Sequence, residues 1–331
     1  MSWSPEFVRL TGVILLTFLT TLALTRAFIA IGRHGLVLDV PNARSLHRQP
    51  TPRSGGLAVL AGVTLGWLLL AQFDLAAVVA IGLALAGISL VDDLRGLPVA
   101  FRLAAHVAAA TALVWVTGMK PNPIQALAVV FGVVWAINLY NFMDGADGLA
   151  GGMALFGFSY YAAAASLAGN LDLAAVCAII AAAAAAFLVY NLPPARIFLG
   201  DVGAIPLGFL AVALGLIGWL RGDWHGWFPL LVFSPFWVDA SVTLTTRLCR
   251  GAKVWQAHRE HAYQRLVLMG LGHRGTAWLA YLLMAGGGAL GLLTQDRVDL
   301  AWLGLVWCAG LVLGALAVGR AWDRRVGDGT V

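Results

Sequence analysis

Five polar segments interrupt an otherwise apolar chain, and each carries residue types suited to phosphate or metal chemistry. They are Pro50-Thr-Pro-Arg-Ser-Gly-Gly56, Val91-Asp-Asp-Leu-Arg95, Asn138-Leu-Tyr-Asn-Phe-Met-Asp-Gly-Ala-Asp-Gly148, Phe198-Leu-Gly-Asp-Val-Gly203 and His258-Arg-Glu-His261. The adjacent acids Asp92 and Asp93 repel each other unless a cation compensates them, so they call either for Mg²⁺ or for a basic partner such as Arg95 or Arg102. Asn141, Asp144 and Asp147 step by three, which sets neighbours on one face of a helical turn, and Gly145, Gly148, Gly151 and Gly152 leave room for a ligand or a second backbone. Aspartate capping with glycine packing is the plainer alternative. Asp201 stands between Gly200 and Gly203 just ahead of an apolar run, where an acid either caps a helix or gives a hard oxygen ligand beside the Asp92 and Asp93 pair.

The longest polar stretch, residues 247–275, holds His258, His261 and His273 among many arginines, a set able to grip phosphate or pyrophosphate oxygens. An ordinary basic loop is its alternative. Zinc is disfavoured, because Cys249 is the one cysteine near these histidines. Asp239 lies inside an apolar run and must be paired or near water, with Arg247 the expected partner.

The elements that position these residues are apolar helices. The chain has 331 residues, 60% of them hydrophobic and 11% charged, whereas soluble domains carry roughly a quarter charged residues. Apolar runs of membrane-crossing length recur throughout, and we expect one polytopic, all-α integral membrane domain over residues 1–331. About eleven spans are expected, at 7–31, 55–70, 75–91, 103–117, 124–139, 149–168, 171–190, 204–220, 228–246, 276–293 and 300–318. The first is too long for the core of a signal peptide and lacks a small-residue cleavage site. The three cysteines have no CxxC spacing.

With these spans the loops alternate sides, and one side holds 17 of the 21 Lys and Arg. That side is expected to be cytoplasmic and contains all five polar segments, so the N-terminus is expected on the opposite, periplasmic side. The net charge of +5 suits lipid headgroups and phosphate ligands better than nucleic acid. A secondary transporter would gather its ionisable residues at the bilayer midplane on broken helices, whereas these sit at span ends.

Taken together and in this order, the segments resemble those of the polyprenyl-phosphate N-acetylhexosamine-1-phosphate transferase family, which includes the enzyme making the first lipid-linked intermediate of peptidoglycan. The resemblance spans nearly the whole chain. It implies an inner-membrane enzyme that uses Mg²⁺, with Mn²⁺ as an alternative, to transfer a sugar phosphate from a UDP-amino sugar to undecaprenyl phosphate, with a homodimer as a further possibility. On matching positions it implies Asp201 as principal metal ligand, with Asp92 and Asp93 near the metal and the lipid phosphate. It implies Asn141, Asp144, Asp147, Asn191 and Phe198 on the nucleotide side, and His258 and His261 over the diphosphate and sugar. Arg53, Gly200 and Arg265 lie in the same matched segments and complete the implied substrate-binding set.

Two departures stand out. Many members carry an acid or lysine three positions after the second aspartate, where this chain has Gly96, so no role is carried over there. The loop His258-Arg-Glu-His-Ala-Tyr-Gln-Arg265 resembles the O-antigen-initiating branch, which implies N-acetylfucosamine or N-acetylquinovosamine, with N-acetylglucosamine as the alternative.

Overall fold

The computed structural model describes residues 4–32, 38–41, 45–47, 49–71, 73–253, 256 and 258–328. Three of the basic residues placed on the cytoplasmic side, Arg33, Arg44 and Arg48, lie outside the described residues, as do parts of the 247–275 stretch.

The described chain is helical apart from one short hairpin. Its elements run α1 (Pro5–Gly32), β1 (Leu38–Asp39), β2 (Thr51–Pro52), α2 (Gly55–Leu70), α3 (Ala76–Arg95), α4 (Val99–Val116), α5 (Pro123–Phe142), α6 (Leu149–Leu167), α7 (Leu171–Asn191) and α8 (Asp201–Arg221). They continue through α9 (Trp227–Val232), α10 (Ser234–Cys249), α11 (Ala262–Leu266), α12 (Gly272–Thr294) and α13 (Ala301–Gly327). The integral-membrane class is borne out: eight helical segments are long and apolar enough to cross a bilayer. The count of eleven spans is not reproduced at that standard. The expected span 55–70 is an apolar helix of 16 residues, and α6 is not among the eight. The expected span 228–246 is two helices broken at Phe233, because Pro235 in the first turn of α10 has no N–H to continue the ladder of α9.

Helices α7 and α8 form the centre. Their most apolar stretches are 72% and 83% buried, against 6% for the segment containing α13, as expected when a helix that is apolar all round is enclosed by others. The alanines of α7 allow close approach to α6, where Gly151 meets Phe187 and Leu188. Aromatic rings fill the space beneath α9, with Tyr161 5.1 Å from Trp224 and 5.5 Å from Phe233 between ring centres. This rigid centre fixes the ends of α5, α7 and α8, from which the polar segments emerge.

Candidate active site

The polar end of the bundle is organised by a backbone crossing. Gly55 N–H donates to the Phe198 carbonyl at 3.0 Å, Gly56 N–H to Leu199 at 2.9 Å, and Phe198 N–H to Pro52 at 2.8 Å. A side chain at Gly56 would strike the backbone of Gly203, and Gly200, at φ +70, has the Arg53 carbonyl where a Cβ would stand. Only glycines let the starts of α2 and α8 approach this closely. The crossing sets Arg53 Nη2 3.1 Å from Asp201 Oδ1 and 3.5 Å from Asp93 Oδ1. The hairpin pairs Asp39 with Thr51 and so brings a further acid beside Arg53. Burial works against the Arg53 charge, but Asp201 and Asp93 outweigh it and hold its pKa above the ordinary value.

Next to this crossing is a cleft of about 320 Å³. Arg53, Asn141, Asp144, Asp147, Asn191, Phe198, Gly200, Asp201 and His258 all line it, so nine of the residues picked from sequence converge. Asp144 follows α5, and its Oδ2 accepts the Gly200 N–H at 3.2 Å. Burial and then repulsion from Asp201 push the Asp144 carboxyl up to about 8. Burial would also raise Asp147, but hydrogen bonds from His273 and from the Ala195 N–H (3.0 Å) outweigh it and hold the carboxyl below the usual range. Asn191 is fully committed to the framework: its Oδ1 accepts from Gly148 N–H at 3.0 Å and its Nδ2 donates to Ile197 at 2.9 Å, tying the end of α7 to the turn before α6. Phe198 packs edge-on against His47, with centroids 4.9 Å apart. Burial, then the charges of His261, Arg247 and Arg265, push His258 down to about 4, which keeps it neutral near pH 7.

Four of the residues picked from sequence do not line the cleft, and one of them, Asp93, stands behind it on Arg53. Asp92 turns to Arg102 at 2.9 Å and caps the Leu97 N–H at 2.6 Å, because adjacent residues on α3 point about 100° apart. His261 is 2% exposed and lies 3.6 Å from Asp239, and Arg265 lies 3.6 Å from Glu260. Asp239 does not hold Arg247, which pairs with Glu260 instead. It accepts the N–H groups of Ala262 and Tyr263 at 2.8 and 3.0 Å and so anchors the strap of residues 258–265. Cleft residues that the sequence did not point to include Asp39, His47 and Gln264, and His273 of the 247–275 stretch lines the cleft as well. His273 lies 3.3 Å from both Asp147 and the Leu46 carbonyl.

Among the described residues, no three His, Cys, Asp or Glu side chains form a group able to hold a metal ion, so Asp92, Asp93 and Asp201 do not assemble as a trio. The donor set still suits a hard cation. Asp144 and Asp201 face the cleft as two acids that repel each other, and the Asp93 Oδ2 is buried without a hydrogen-bond partner. Mg²⁺ commonly takes one or two carboxylates and completes its shell with substrate phosphates and water.

Fold and cleft together define a multi-pass membrane protein with a cleft lined by acids, an arginine and histidines at one end of its bundle. The family model described as "Glycosyl transferase family 4" matches residues 75–218, which hold α3 through most of α8 and all the acids discussed above except Asp39, Asp239 and Glu260. Over 301 residues the chain is 26% identical to a probable undecaprenyl-phosphate N-acetylglucosaminyl 1-phosphate transferase of Bacillus subtilis, covering 84% of this chain and 83% of that one. It is 27% identical over 336 residues to the undecaprenyl-phosphate alpha-N-acetylglucosaminyl 1-phosphate transferase of Yersinia pestis, covering 89% of each. A shorter match of 98 residues, 36% identical and covering 29% of this chain and 30% of the other, links it to the phospho-N-acetylmuramoyl-pentapeptide-transferase of Staphylococcus carnosus. The chain is thus similar, over most of its length, to polyprenyl-phosphate N-acetylhexosamine-1-phosphate transferases, the family that its motifs resemble.

Proposed function

We propose that this protein transfers an N-acetylated amino-sugar 1-phosphate from a UDP-sugar to undecaprenyl phosphate in the bacterial inner membrane, releasing UMP. The observation that carries this reading is the convergence of Arg53, Asp144 and Asp201 on one cleft at the end of an apolar bundle, where diphosphate and lipid phosphate can meet. The whole-length similarity to relatives named for this reaction supports it. The 17 basic residues on this side of the expected spans favour a cytoplasmic cleft.

Phosphoryl transfer asks a protein mainly to align two anions and to neutralise charge. Mg²⁺ held by Asp201 and Asp144 would supply that neutralisation. Arg53 fixes Asp201 and offers a cation to phosphate oxygens. Asn191 and the glycine crossing hold the acids in place, and neutral His258 offers a ring nitrogen to the diphosphate or sugar. The lipid phosphate has a second pKa near 6 and needs little help from a base. This suits a site in which Asp92 is already paired with Arg102. An oxygen of the lipid phosphate bonds to the β-phosphorus while the bond from that phosphorus to the α-phosphate oxygen breaks, and UMP leaves with the electron pair. The anomeric C–O bond is untouched, so its configuration is retained.

For the sugar, the relatives' names favour N-acetylglucosamine, whereas the form of the 258–265 loop favours a 6-deoxy amino sugar and an O-antigen role. Purified protein given undecaprenyl phosphate, Mg²⁺ and a panel of UDP-sugars tests both levels. UMP release that needs lipid and metal supports the reaction, and the preferred donor identifies the sugar. Release that is indifferent to the lipid phosphate refutes the reaction.

A further inference from the structure

A second polar site lies on the far side of the strap. Between α10, α11 and α13 is a pocket of about 160 Å³ lined by Arg250, Arg265, Arg320, Glu260 and Asp323 among others. It abuts an apolar groove of about 310 Å³, with walls that include Phe236, Leu283, Leu311 and Val318, and the two share Ala262 and Ala315. The groove is built partly by α13, the least buried of the spanning helices, which leaves it open to lipid.

The charges in this pocket are not balanced. Asp323 pairs with Arg250 at 3.1 Å, and Glu260 is divided between Arg247 and Arg265. The Arg265 side chain is 8% exposed and its Nε is buried with no hydrogen-bond partner, as is the Nε of Arg247. A buried guanidinium nitrogen without an acceptor is costly, and an anion on the same guanidinium offsets that cost.

We infer that pocket and groove form a binding site for one anionic membrane phospholipid, its phosphate on Arg250, Arg265 and Arg320 and an acyl chain in the groove. Basic pockets between spanning helices at this membrane face suit such headgroups. The site is distinct from the cleft, because Gln264 and His258 face the cleft while Arg265 and Glu260 on the same strap face the pocket. A phosphate held by Arg265 therefore has the strap between it and Asp201, which sets the occupant apart from the acceptor lipid of the proposed reaction. Because both faces belong to one strap anchored by Asp239, the bound lipid also steadies His258.

The test is native mass spectrometry of the purified full-length protein exposed to phosphatidylglycerol or phosphatidylcholine. We expect one phosphatidylglycerol to be retained in preference to phosphatidylcholine, and retention to weaken on the order of tenfold in the Arg250→Gln, Arg320→Gln double variant. Gly314→Trp should weaken it through the groove, since Gly314 lines the groove and a Cβ there meets no atom within 4 Å, so the new side chain starts in open space. Equal retention of both lipids, or unchanged retention in both variants, overturns the site. Displacement of the retained lipid by one equivalent of undecaprenyl phosphate overturns its assignment to a phospholipid. None of these readouts depends on sugar-phosphate transfer, so the site and the proposed reaction can fail independently.

Discussion

The two ends of the bundle treat their acids differently. At the far end three acids each have their own partner: Asp74 meets Arg221 at 2.9 Å, Asp223 meets Asn170 at 2.7 Å and Asp299 meets Arg297 at 2.7 Å. At the cleft end Asp93 and Asp201 share the single guanidinium of Arg53, and Asp144 is crowded against Asp201. These three acids are satisfied by folding alone, unlike those at the cleft. The cleft end is left with excess negative charge close to a basic rim, an arrangement that costs stability unless a cation and phosphates complete it.

The sharpest way to break that contrast is at Asp201. Asp201→Asn should lower UMP release by about 10³-fold while the protein stays folded, because the amide keeps the volume but loses the charge. Asp74→Asn at the far end should change release less than twofold, costing at most about 1 kcal/mol as an exposed pair. Comparable activities in the two variants would remove the distinction. The next test separates neighbours within one motif. Asp93→Asn should cost roughly 10- to 100-fold, the range for residues that support a metal site from behind, and Asp92→Asn only a few-fold, because Asp92 faces Arg102. The reverse order, measured as initial rates of UMP release, would show that Asp92 is the acid the cleft uses.

Asp239→Asn presents an amide to two backbone N–H groups that now donate to a carboxylate, a loss of about 1–3 kcal/mol in the anchoring of the strap. Its signature should be a raised KM for the donor with a smaller change in kcat, together with faster proteolysis at residues 256–260. An unchanged KM would mean that the strap does not contact the donor. The smallest effect concerns His258. Its folded pKa of about 4 lies below the ordinary 6.5, so as pH falls from 6.5 towards 4 the unfolded chain gains a proton that the folded chain refuses. Stability contributed by the neutral ring is present above pH 6.5 and declines across that window. His258→Gln should flatten this part of the Tm-against-pH curve, and a curve identical to wild type would place the titration elsewhere.

Much of the fold was legible because apolar length carries the information: every expected span overlaps an observed helix, and the break at Phe233 was signalled by Pro229 and Pro235. The site was legible as a set of segments and less so as side chains. A segment of five polar residues does not reveal which of them turns inward. Asp92 and Asp93 differ by one step on α3, and Gln264 and Arg265 by one step on α11, yet in each pair the members face different neighbours. Asp39 escaped notice because its place beside Arg53 depends on a two-residue hairpin whose strands carry no alternating pattern. The crossing of Gly56 and Gly203 was equally hidden, since each glycine is explained by the other and they are far apart in sequence.

That distance also sets an order of events during synthesis. Arg53 and Asp201 are 148 residues apart, and at roughly 5–20 residues per second a ribosome takes about 7–30 s to supply the second after the first. Throughout that interval α2 is a short apolar segment whose glycine-bearing end has nothing to cross. Asp93, made some 40 residues after Arg53, is the earlier acid of the two that the finished protein places on this guanidinium. The same aspartate that lies behind the mature cleft is therefore positioned to hold Arg53 while the later helices are still being inserted.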